Sequence, residues 1–216
     1  MTLSFFLIDK PTDWTSHDVV AFLRGRLKVK KIGHAGTLDP FATGLLIVAV
    51  GRESTKKLDT FKSMNKTYVA TLRLGATSDT GDLTGAITPI SAAIPTKNDI
   101  EHVLPSFLGE QDQIPPMYSA KKIGGQKLYA LARKGETIER APSRITIHAI
   151  RLLEYAYPDV IFEVVCSTGT YIRTLCGDIG AALDVGAYCN ELRRTRIGEY
   201  RVEDAIPPEQ VQRNDR

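Results

Sequence analysis

One acidic residue, Asp39, lies in a sequence context that suits catalysis. It belongs to the loop-forming stretch 33–40, GHAGTLDP, which comes shortly before the apolar run Leu45–Val50. Glycines in such a stretch let the backbone turn tightly or approach a ligand closely, and Pro40 fixes the chain after the aspartate. The loop could therefore present a lone catalytic carboxylate, although Asp-Pro also initiates ordinary turns. Spacing alone leaves both interpretations open.

A second candidate is Arg173, which follows the segment Ser167–Tyr171. The pattern predicts that a strand ends there, a glycine turns the chain and a helix begins. A cation in the first turn of a helix opposes the helix dipole, which indicates that Arg173 has another purpose. Its fork-shaped guanidinium suits a carboxylate or a phosphate. The alternative is a solvated surface arginine.

Tyr68 begins the apolar face of a predicted strand, so it is either a core residue or a ring on which a base stacks. His34 lies beside a run of basic residues, and as a metal ligand it lacks partners at ligand spacing. Asp79 and Asp82 do not have the oxygen-ligand spacing of a calcium loop. The sequence contains no P-loop or Rossmann fingerprint, so we predict neither a metal nor a nucleotide cofactor.

Composition places the 216 residues among globular chains, with 43% hydrophobic and 25% charged residues and a net charge of +3. The stretch from Ala120 to Arg151 carries eight basic residues and two glutamates, so its net charge is 8 − 2 = +6, twice that of the whole chain. The longest apolar run is far shorter than the ~20 residues that a membrane span needs. The odd number and wide spacing of Cys166, Cys176 and Cys189 suit a reducing cytosol.

Secondary structure must position these residues. The patterns predict strands at Leu3–Ile8, Leu45–Val50, Tyr68–Leu74, Ile145–Ala149 and Val160–Cys166. They predict helices at Ser16 to about Lys30, Ser54–Phe61, Lys97–Leu108, Gln126–Lys134 and Thr170–Leu183, the first and third of them after capping boxes. Because helices and strands alternate without regular βαβ spacing, we expect an α+β fold with a mostly antiparallel sheet.

Ordered motifs along the chain resemble the signatures of the TruB family of tRNA pseudouridine synthases. The most specific is the stretch 33–46, GHAGTLDPFATGLL. The others are DKP at 9–11, KTY at 66–68, DTGD at 79–82, QIPPMYSAK at 113–121, GTYIR at 169–173 and LRR at 192–194. The resemblance implies a pseudouridine synthase-like fold with helices flanking the central sheet. It also implies a single catalytic domain over 1–216 with a basic thumb-like insertion at about 121–142. Many bacterial relatives carry a further C-terminal RNA-binding domain of the PUA type, and in a departure from that pattern we expect no C-terminal PUA domain here.

The resemblance also implies roles for individual residues. Asp39 matches the catalytic aspartate, Arg173 the arginine that pairs with it, and Tyr68 the aromatic ring that packs on the target base. The implied substrate-binding residues are His34, Tyr171, Leu192, Lys10, Asp82 and Lys121. The reaction moves the glycosidic bond of one uracil from N1 to C5. It requires no cofactor or metal, because nothing is oxidised or added.

The implied substrate is a uridine in the T-arm loop of tRNA, at position 55 in tRNA numbering, which the enzyme reaches by base flipping. Asp39 would either attack C1′ of the ribose or remove a proton at C2′ to give a glycal. We expect a cytoplasmic monomer without a membrane partner. The alternatives are a non-catalytic RNA-binding or tRNA-folding protein on the same scaffold, a synthase acting on another RNA, and a small-molecule hydrolase using Asp39. The hydrolase would lack a partner base and would leave the basic stretch unexplained.

Overall fold

The computed structural model describes residues 4–119, 121–132 and 134–212, with only the backbone at residues 122 and 127. The strands are β1 (Ser4–Lys10), β2 (Ile32–His34), β3 (Thr43–Val50), β4 (Lys66–Leu74), β5 (Ala76–Ser78), β6 (Ile87–Pro89), β7 (Gly109–Gln113), β8 (Lys122–Ile123), β9 (Gln126–Lys127), β10 (Ser143–Ala156), β11 (Asp159–Cys166), β12 (Ala187–Ile197) and β13 (Tyr200–Arg201). The α-helices are α1 (Ser16–Leu27), α2 (Arg52–Thr55), α3 (Leu58–Lys62), α4 (Lys97–Val103), α5 (Leu128–Ala132) and α6 (Ile172–Ala182). Leu3, expected to begin the first strand, lies outside the described residues, as do Ala120 and Arg133 of the basic stretch.

The chain forms two compact units. One comprises the residues up to Val69 together with those from Leu192 onward, and the other comprises Ala70–Glu191. The boundaries fall within β4 and β12. The strand pairings are mostly antiparallel, and the expected α+β fold is confirmed. No helix within the described ranges is long and apolar enough to cross a bilayer.

The first unit is organised around β3, which pairs with β1 and β2 on antiparallel ladders and with β12 on a parallel one. Leu46 and Val48 pack into a cluster with α1 on one face, whereas Leu45, Ile47 and Ala49 pack with α3 on the other. A strand buried on both faces appears in sequence as a continuous apolar run. The predicted strand Leu45–Val50 is therefore confirmed, and its N-terminal end follows the Asp39 loop.

Helix α1 begins at the predicted capping box. The Thr15 hydroxyl accepts from the Asp18 N–H at 3.0 Å, and the Asp18 carboxylate accepts from the Thr15 N–H at 2.8 Å. The helix ends three residues before the predicted Lys30, because Lys28 takes up a left-handed conformation (φ 56°). This places Lys28, Lys30 and Lys31 in the exposed segment after the helix.

In the second unit the strands lie in the order β4, β11, β10, β7. The pairs β10–β11 and β10–β7 are antiparallel, and Gln113 at the end of β7 lies opposite Ser143 at the start of β10. Alternate residues of β11, including Phe162 and Val164, are fully buried. Helix α6 follows β11 after the turn at Gly169, close to the predicted boundaries.

Three further predicted helices differ from the structure. The predicted helix Lys97–Leu108 is α-helical only as far as Val103 and continues as a 3-10 helix over Leu104–Phe107. The segment Ser54–Phe61 forms the separate helices α2 and α3, because Lys57 lies near φ −93°, ψ 2° and interrupts the helical bonding. In the predicted helix Gln126–Lys134, the first two residues instead form β9. They pair with β8 across Gly124 and Gly125, whose positive φ angles suit a tight hairpin turn.

Candidate active site

Asp39 is half-buried, and the backbone on both sides of it is held by buried side chains. The Ser16 hydroxyl, at the start of α1, accepts from the Leu38 N–H at 2.8 Å and lies 3.2 Å from the Leu38 carbonyl, to which it can donate. The Asp39 carbonyl accepts from the Ala42 N–H at 3.1 Å. These bonds fix the direction from which the carboxylate leaves the loop.

Lys10 holds the segment that follows Asp39 through a hydrogen bond from its buried ammonium to the Pro40 carbonyl. Its side chain is 0% exposed, and its ammonium donates to the carbonyls of Pro11, Trp14 and Pro40 at 2.8, 2.5 and 3.2 Å. Burial lowers the pKa of Lys10 to about 8, and the charge of Asp39 offsets part of that effect. Three carbonyls already occupy the ammonium. These contacts make Lys10 a support of the Asp39 loop, and its implied contact with substrate stays a prediction.

Arg194 is a second buried cation in this unit, with 1% of its surface exposed. Its Nε donates to the Leu45 carbonyl at 2.8 Å and its Nη2 to the Gly36 carbonyl at 3.2 Å. The guanidinium therefore ties β12 to both the beginning and the end of the Asp39 loop. Its charge also lowers the pKa values of Lys10 and His34, although burial is the larger cause in both.

Gly44 lets β12 come this close. It pairs with Arg194 on the parallel ladder at φ +101°, and a Cβ there would lie 2.3 Å from the Arg194 carbonyl oxygen. No L side chain fits such a gap. The glycine that follows Thr43 in the sequence signature is thus explained by packing between two strands.

His34, at the end of β2, is partly buried and neutral at physiological pH. Burial is the main reason that its pKa is lowered, and the backbone of Gly36 offsets part of the effect. Within the described part of the chain, no hydrogen-bond partner is found for its buried Nδ1. Tyr68 on β4 and Leu192 on β12 are both buried, and these two strands are neighbours.

Arg173, in the first turn of α6, is 4% exposed and is not a solvated surface arginine. Its Nη1 donates to the Thr80 carbonyl at 2.6 Å and lies 3.2 Å from the Asp82 carboxylate. Its Nη2 donates to the Tyr118 carbonyl at 2.6 Å. The structure thus brings together two predicted site residues, Arg173 and Asp82, in a buried ion pair.

The other oxygen of Asp82 accepts from the Thr80 hydroxyl and from the N–H and hydroxyl of Thr84. Asp82 also forms an isolated bridge with Cys189. The turn that carries it is therefore rigid. Among the described residues, no group of three or more His, Cys, Asp or Glu could hold a metal ion.

Tyr171 and Lys121 are held by polar partners. Gln113 makes two hydrogen bonds to the Tyr171 backbone, and the Lys121 ammonium donates to the Ser143 hydroxyl at 2.7 Å. Asp39 and Arg173 belong to different units, and their pairing stays a prediction. So do the assigned roles of the individual site residues and the single catalytic domain.

Three supporting residues were not identified from sequence, namely Ser16, Gln113 and Arg194. Gln113 and Arg194 occur in quoted motifs, QIPPMYSAK and LRR, but nothing in those motifs indicates a buried side chain bonded to backbone. Ser16 was recognised only as the start of a helix. For Gln113 and Arg194, the available signal was their position in motifs that also carry candidate site residues.

Comparisons with known proteins identify the family of this chain. The family model for the N-terminal domain of TruB family pseudouridylate synthases matches residues 24–172, and the model for the tRNA pseudouridylate synthase B C-terminal domain matches residues 173–215. A tRNA pseudouridine synthase B from Protochlamydia amoebophila is 47% identical over 200 residues, covering 93% of this chain and 76% of its own. One from Desulfotalea psychrophila is 46% identical over 211 residues, covering 95% and 86%.

Among solved structures, a chain of a Cbf5-Nop10-Gar1 complex superimposes with a TM-score of 0.71 at 33% identity. The match covers 91% of this chain and 50% of that one, so the present chain spans about half the length of that relative. The expected fold and the expected isomerase are confirmed by these matches. The chain belongs to the TruB family of pseudouridylate synthases.

Proposed function

We propose that this protein isomerises a specific uridine in the T-arm loop of tRNA to pseudouridine, as a monomer in the cytoplasm. The observation that carries the proposal is the half-buried carboxylate of Asp39 on a backbone fixed by Ser16, Lys10 and Arg194. The curated relatives are named tRNA pseudouridine synthase B. The three cysteines are buried and odd in number, which suits a reducing compartment.

Asp39 begins the reaction, either by attacking C1′ of the ribose or by removing the C2′ proton. Both routes break the bond from N1 to C1′, after which the base turns and C5 bonds to C1′. This displaces the Asp39 carboxylate in the first route and returns the proton to C2′ in the second. C5 then releases its hydrogen as a proton to water, and N1 takes up a proton. Both need an ionised carboxylate at a fixed distance from the sugar. Attraction between the Lys10 ammonium and the Asp39 charge supports that ionised form. Arg173 is the proposed guanidinium partner of Asp39 during catalysis.

The target uridine must leave its stack before Asp39 can reach the sugar, at a cost of a few kcal/mol. We assign the vacated space to the ring of His34, which is uncharged because burial lowers its pKa. A neutral ring can stack among bases without a desolvation cost for charge. Tyr68 and Leu192 enclose the extruded uracil.

Cations hold the RNA backbone. Lys28, Lys30 and Lys31 are exposed after α1, and Lys31 also lines a groove of about 410 Å³ with Arg52 and Lys56. The basic thumb-like insertion adds further phosphate contacts. Because each phosphate contact releases counterions, affinity for tRNA falls steeply as salt is raised.

The test is release of tritium from tRNA labelled at C5 of uridine, followed by mapping of pseudouridine in the product. The wild-type protein releases tritium and modifies the T-arm loop. Asp39→Asn binds the same tRNA but releases none. Asp59→Asn is the control, because Asp59 is an exposed aspartate paired with Lys62, and it retains wild-type activity.

Three results would overturn parts of the proposal. An active Asp39→Asn protein removes Asp39 from the chemistry. A wild-type protein that binds tRNA without releasing tritium is an RNA-binding or RNA-folding protein instead. Pseudouridine at another site only, or formed only in another RNA, refutes the T-arm assignment.

A further inference from the structure

Gln113, the last residue of β7, is 4% exposed, and its side chain bonds to the backbone of another element. Its Nε2 donates to the Tyr171 carbonyl at 3.0 Å, and its Oε1 accepts from the Tyr171 N–H at 2.8 Å. The side-chain amide of Gln113 thus makes the same two hydrogen bonds with the Tyr171 backbone that a residue of a neighbouring strand would make. The oxygen and the nitrogen of this buried amide are both hydrogen-bonded to one residue.

The residue held in this way begins α6. Tyr171 is the N-cap of the helix, has extended dihedrals (φ −100°, ψ 107°) and makes no side-chain capping bond. The first turn of a helix leaves backbone N–H groups without intrahelical partners, so its direction depends on outside contacts. Gln113 supplies such a contact two residues before Arg173.

The segment that follows Gln113 holds Arg173 directly. The Tyr118 carbonyl accepts from Nη2 of Arg173 at 2.6 Å, and Pro115 and Pro116 restrict the chain between the two contacts. The segment 113–118 therefore bonds to the start of α6 at two residues, to Tyr171 through the Gln113 side chain and to Arg173 through the Tyr118 carbonyl. Because both contacts join the same two segments, we expect a shift of Tyr171 to move Arg173 as well.

We propose that Gln113 is a positioning residue for the isomerisation, which fixes Tyr171 and thereby the guanidinium of Arg173. This inference rests on the proposed function, in which Arg173 acts in the chemistry and Tyr171 at the base. Gln113 does not touch substrate itself. Its loss changes the rate of the chemical step more than the affinity for tRNA.

Gln111 offers a matched control. It lies two residues earlier on β7, and its Nε2 donates to the Phe107 carbonyl at 2.6 Å, a bond between β7 and the turn before it. Replacement of either glutamine by methionine removes a side chain–backbone contact at a similar side-chain volume. Only the Gln113 change reaches α6.

We expect Gln113→Met to lower the single-turnover rate of tritium release by roughly 10- to 100-fold, since small misplacements of catalytic groups have effects of that size. Its dissociation constant for tRNA stays within about threefold of wild type, because the affinity comes mainly from phosphate contacts. Gln111→Met keeps the wild-type rate. Thermal unfolding of each variant confirms that the assay temperature lies below its transition.

Gln113→Glu adds a readout that loss of stability alone does not produce. A protonated glutamic acid donates to the Tyr171 carbonyl and accepts from its N–H, as the amide does, whereas the ionised form repels that carbonyl. Nearby charged groups include Glu110 and Asp112, which both pair with Arg144, and Arg173, which pairs with Asp82. Two further cations are Lys121, which donates to Ser143 opposite Gln113, and Arg140, which donates to the Pro115 carbonyl. The rate of Gln113→Glu relative to wild type therefore rises as pH falls, in a range where both are folded.

The outcomes separate the two proposals. An inactive wild-type protein or an active Asp39→Asn protein contradicts the proposed function. If wild type is active and the Gln113 variants match Gln111→Met at every pH, the positioning role alone is wrong. A Gln113→Met protein that loses affinity for tRNA as much as rate also overturns it, because that pattern indicates a substrate contact.

Discussion

Replacement of Gly44 by alanine tests whether close packing of β3 against β12 supports the Asp39 loop. Gly44 and Gly51 both have positive φ angles, +101° and +89°. They differ in their surroundings. A Cβ at Gly44 would lie 2.3 Å from the Arg194 carbonyl oxygen and 2.8 Å from its nitrogen, whereas nothing lies within 4 Å of a Cβ at Gly51. Gly51→Ala therefore measures the backbone strain alone.

The difference between the two variants can be worked out from these contacts. Backbone strain at these positive φ angles costs about 1–3 kcal/mol for each, and the lower entropy of the unfolded alanine chain offsets about 0.4–1 kcal/mol. At Gly44 the strands must also separate by roughly 1 Å to reach an ordinary carbon–oxygen contact. That movement weakens ladder bonds worth about 1 kcal/mol each and the charged bonds from Arg194, worth about 1.5–3 kcal/mol. We expect Gly44→Ala to cost about 3 kcal/mol more than Gly51→Ala.

Urea unfolding of both variants and of wild type gives the comparison. With a slope of about 2 kcal/mol per molar, 3 kcal/mol separates the two midpoints by about 1.5 M. Tritium release falls in Gly44→Ala, because the guanidinium of Arg194 holds the Gly36 and Leu45 carbonyls on either side of Asp39. If the two variants unfold at the same urea concentration, close packing at Gly44 does not stabilise the unit and the reasoning is wrong.

Three further changes test the supports of the candidate site. The pKa of Lys10 falls from 10.5 to about 8 on folding, so between these pH values the unfolded chain binds more protons than the folded one. The free energy of unfolding of the wild type therefore rises with pH. Relative to that of Lys10→Met, it should increase by about 3 kcal/mol from pH 8 to 10.5. A flat difference in urea titrations would contradict this. Ser16→Ala removes both hydrogen bonds to the Leu38 backbone and should lower the stability measured by thermal unfolding by about 2 kcal/mol. Little change in stability would show that other contacts hold the loop. Asp82→Asn removes the carboxylate charge of a buried ion pair with Arg173, and we expect a cost of about 3–5 kcal/mol in urea unfolding. A cost below about 1 kcal/mol would show that this ion pair is dispensable.

Local signals in the sequence predicted much of the fold. The capping boxes at Thr15 and Thr96 marked two helix starts, and the apolar run of β3 marked a strand covered on both faces. These features depend on neighbours in the chain, so a single sequence contains them. The hairpin at Gly124 was missed because glycines that flank a helix and glycines that close a two-residue turn look alike in composition.

The supports of the site depend instead on partners far along the chain. Strand β12 was not predicted, since AYCNELRRTRI mixes charged with apolar residues. Arg193 and Arg194 are neighbours of the same type, yet Arg193 pairs with Asp9 in a partly exposed bridge and Arg194 is buried among carbonyls. Only the fold separates these two environments. The same holds for Gln113, whose partner Tyr171 is 58 residues away.

The buried cations that bond to the Asp39 loop meet two requirements, which are donors for inward-facing carbonyls and a positive charge near Asp39. A neutral side chain meets only the first of these. A loop that turns back on itself directs carbonyl oxygens inward, and a buried carbonyl needs a donor. Lysine and arginine supply several donors and no acceptor, so Lys10 and Arg194 together satisfy five carbonyls. A serine such as Ser16 can fix the backbone but adds no net charge. The attraction between Lys10 and Asp39 offsets part of the burial cost of the ammonium, and by reciprocity it stabilises the ionised carboxylate that the proposed reaction needs. Removal of the Lys10 charge should therefore lower the rate by more than the loosened loop alone explains.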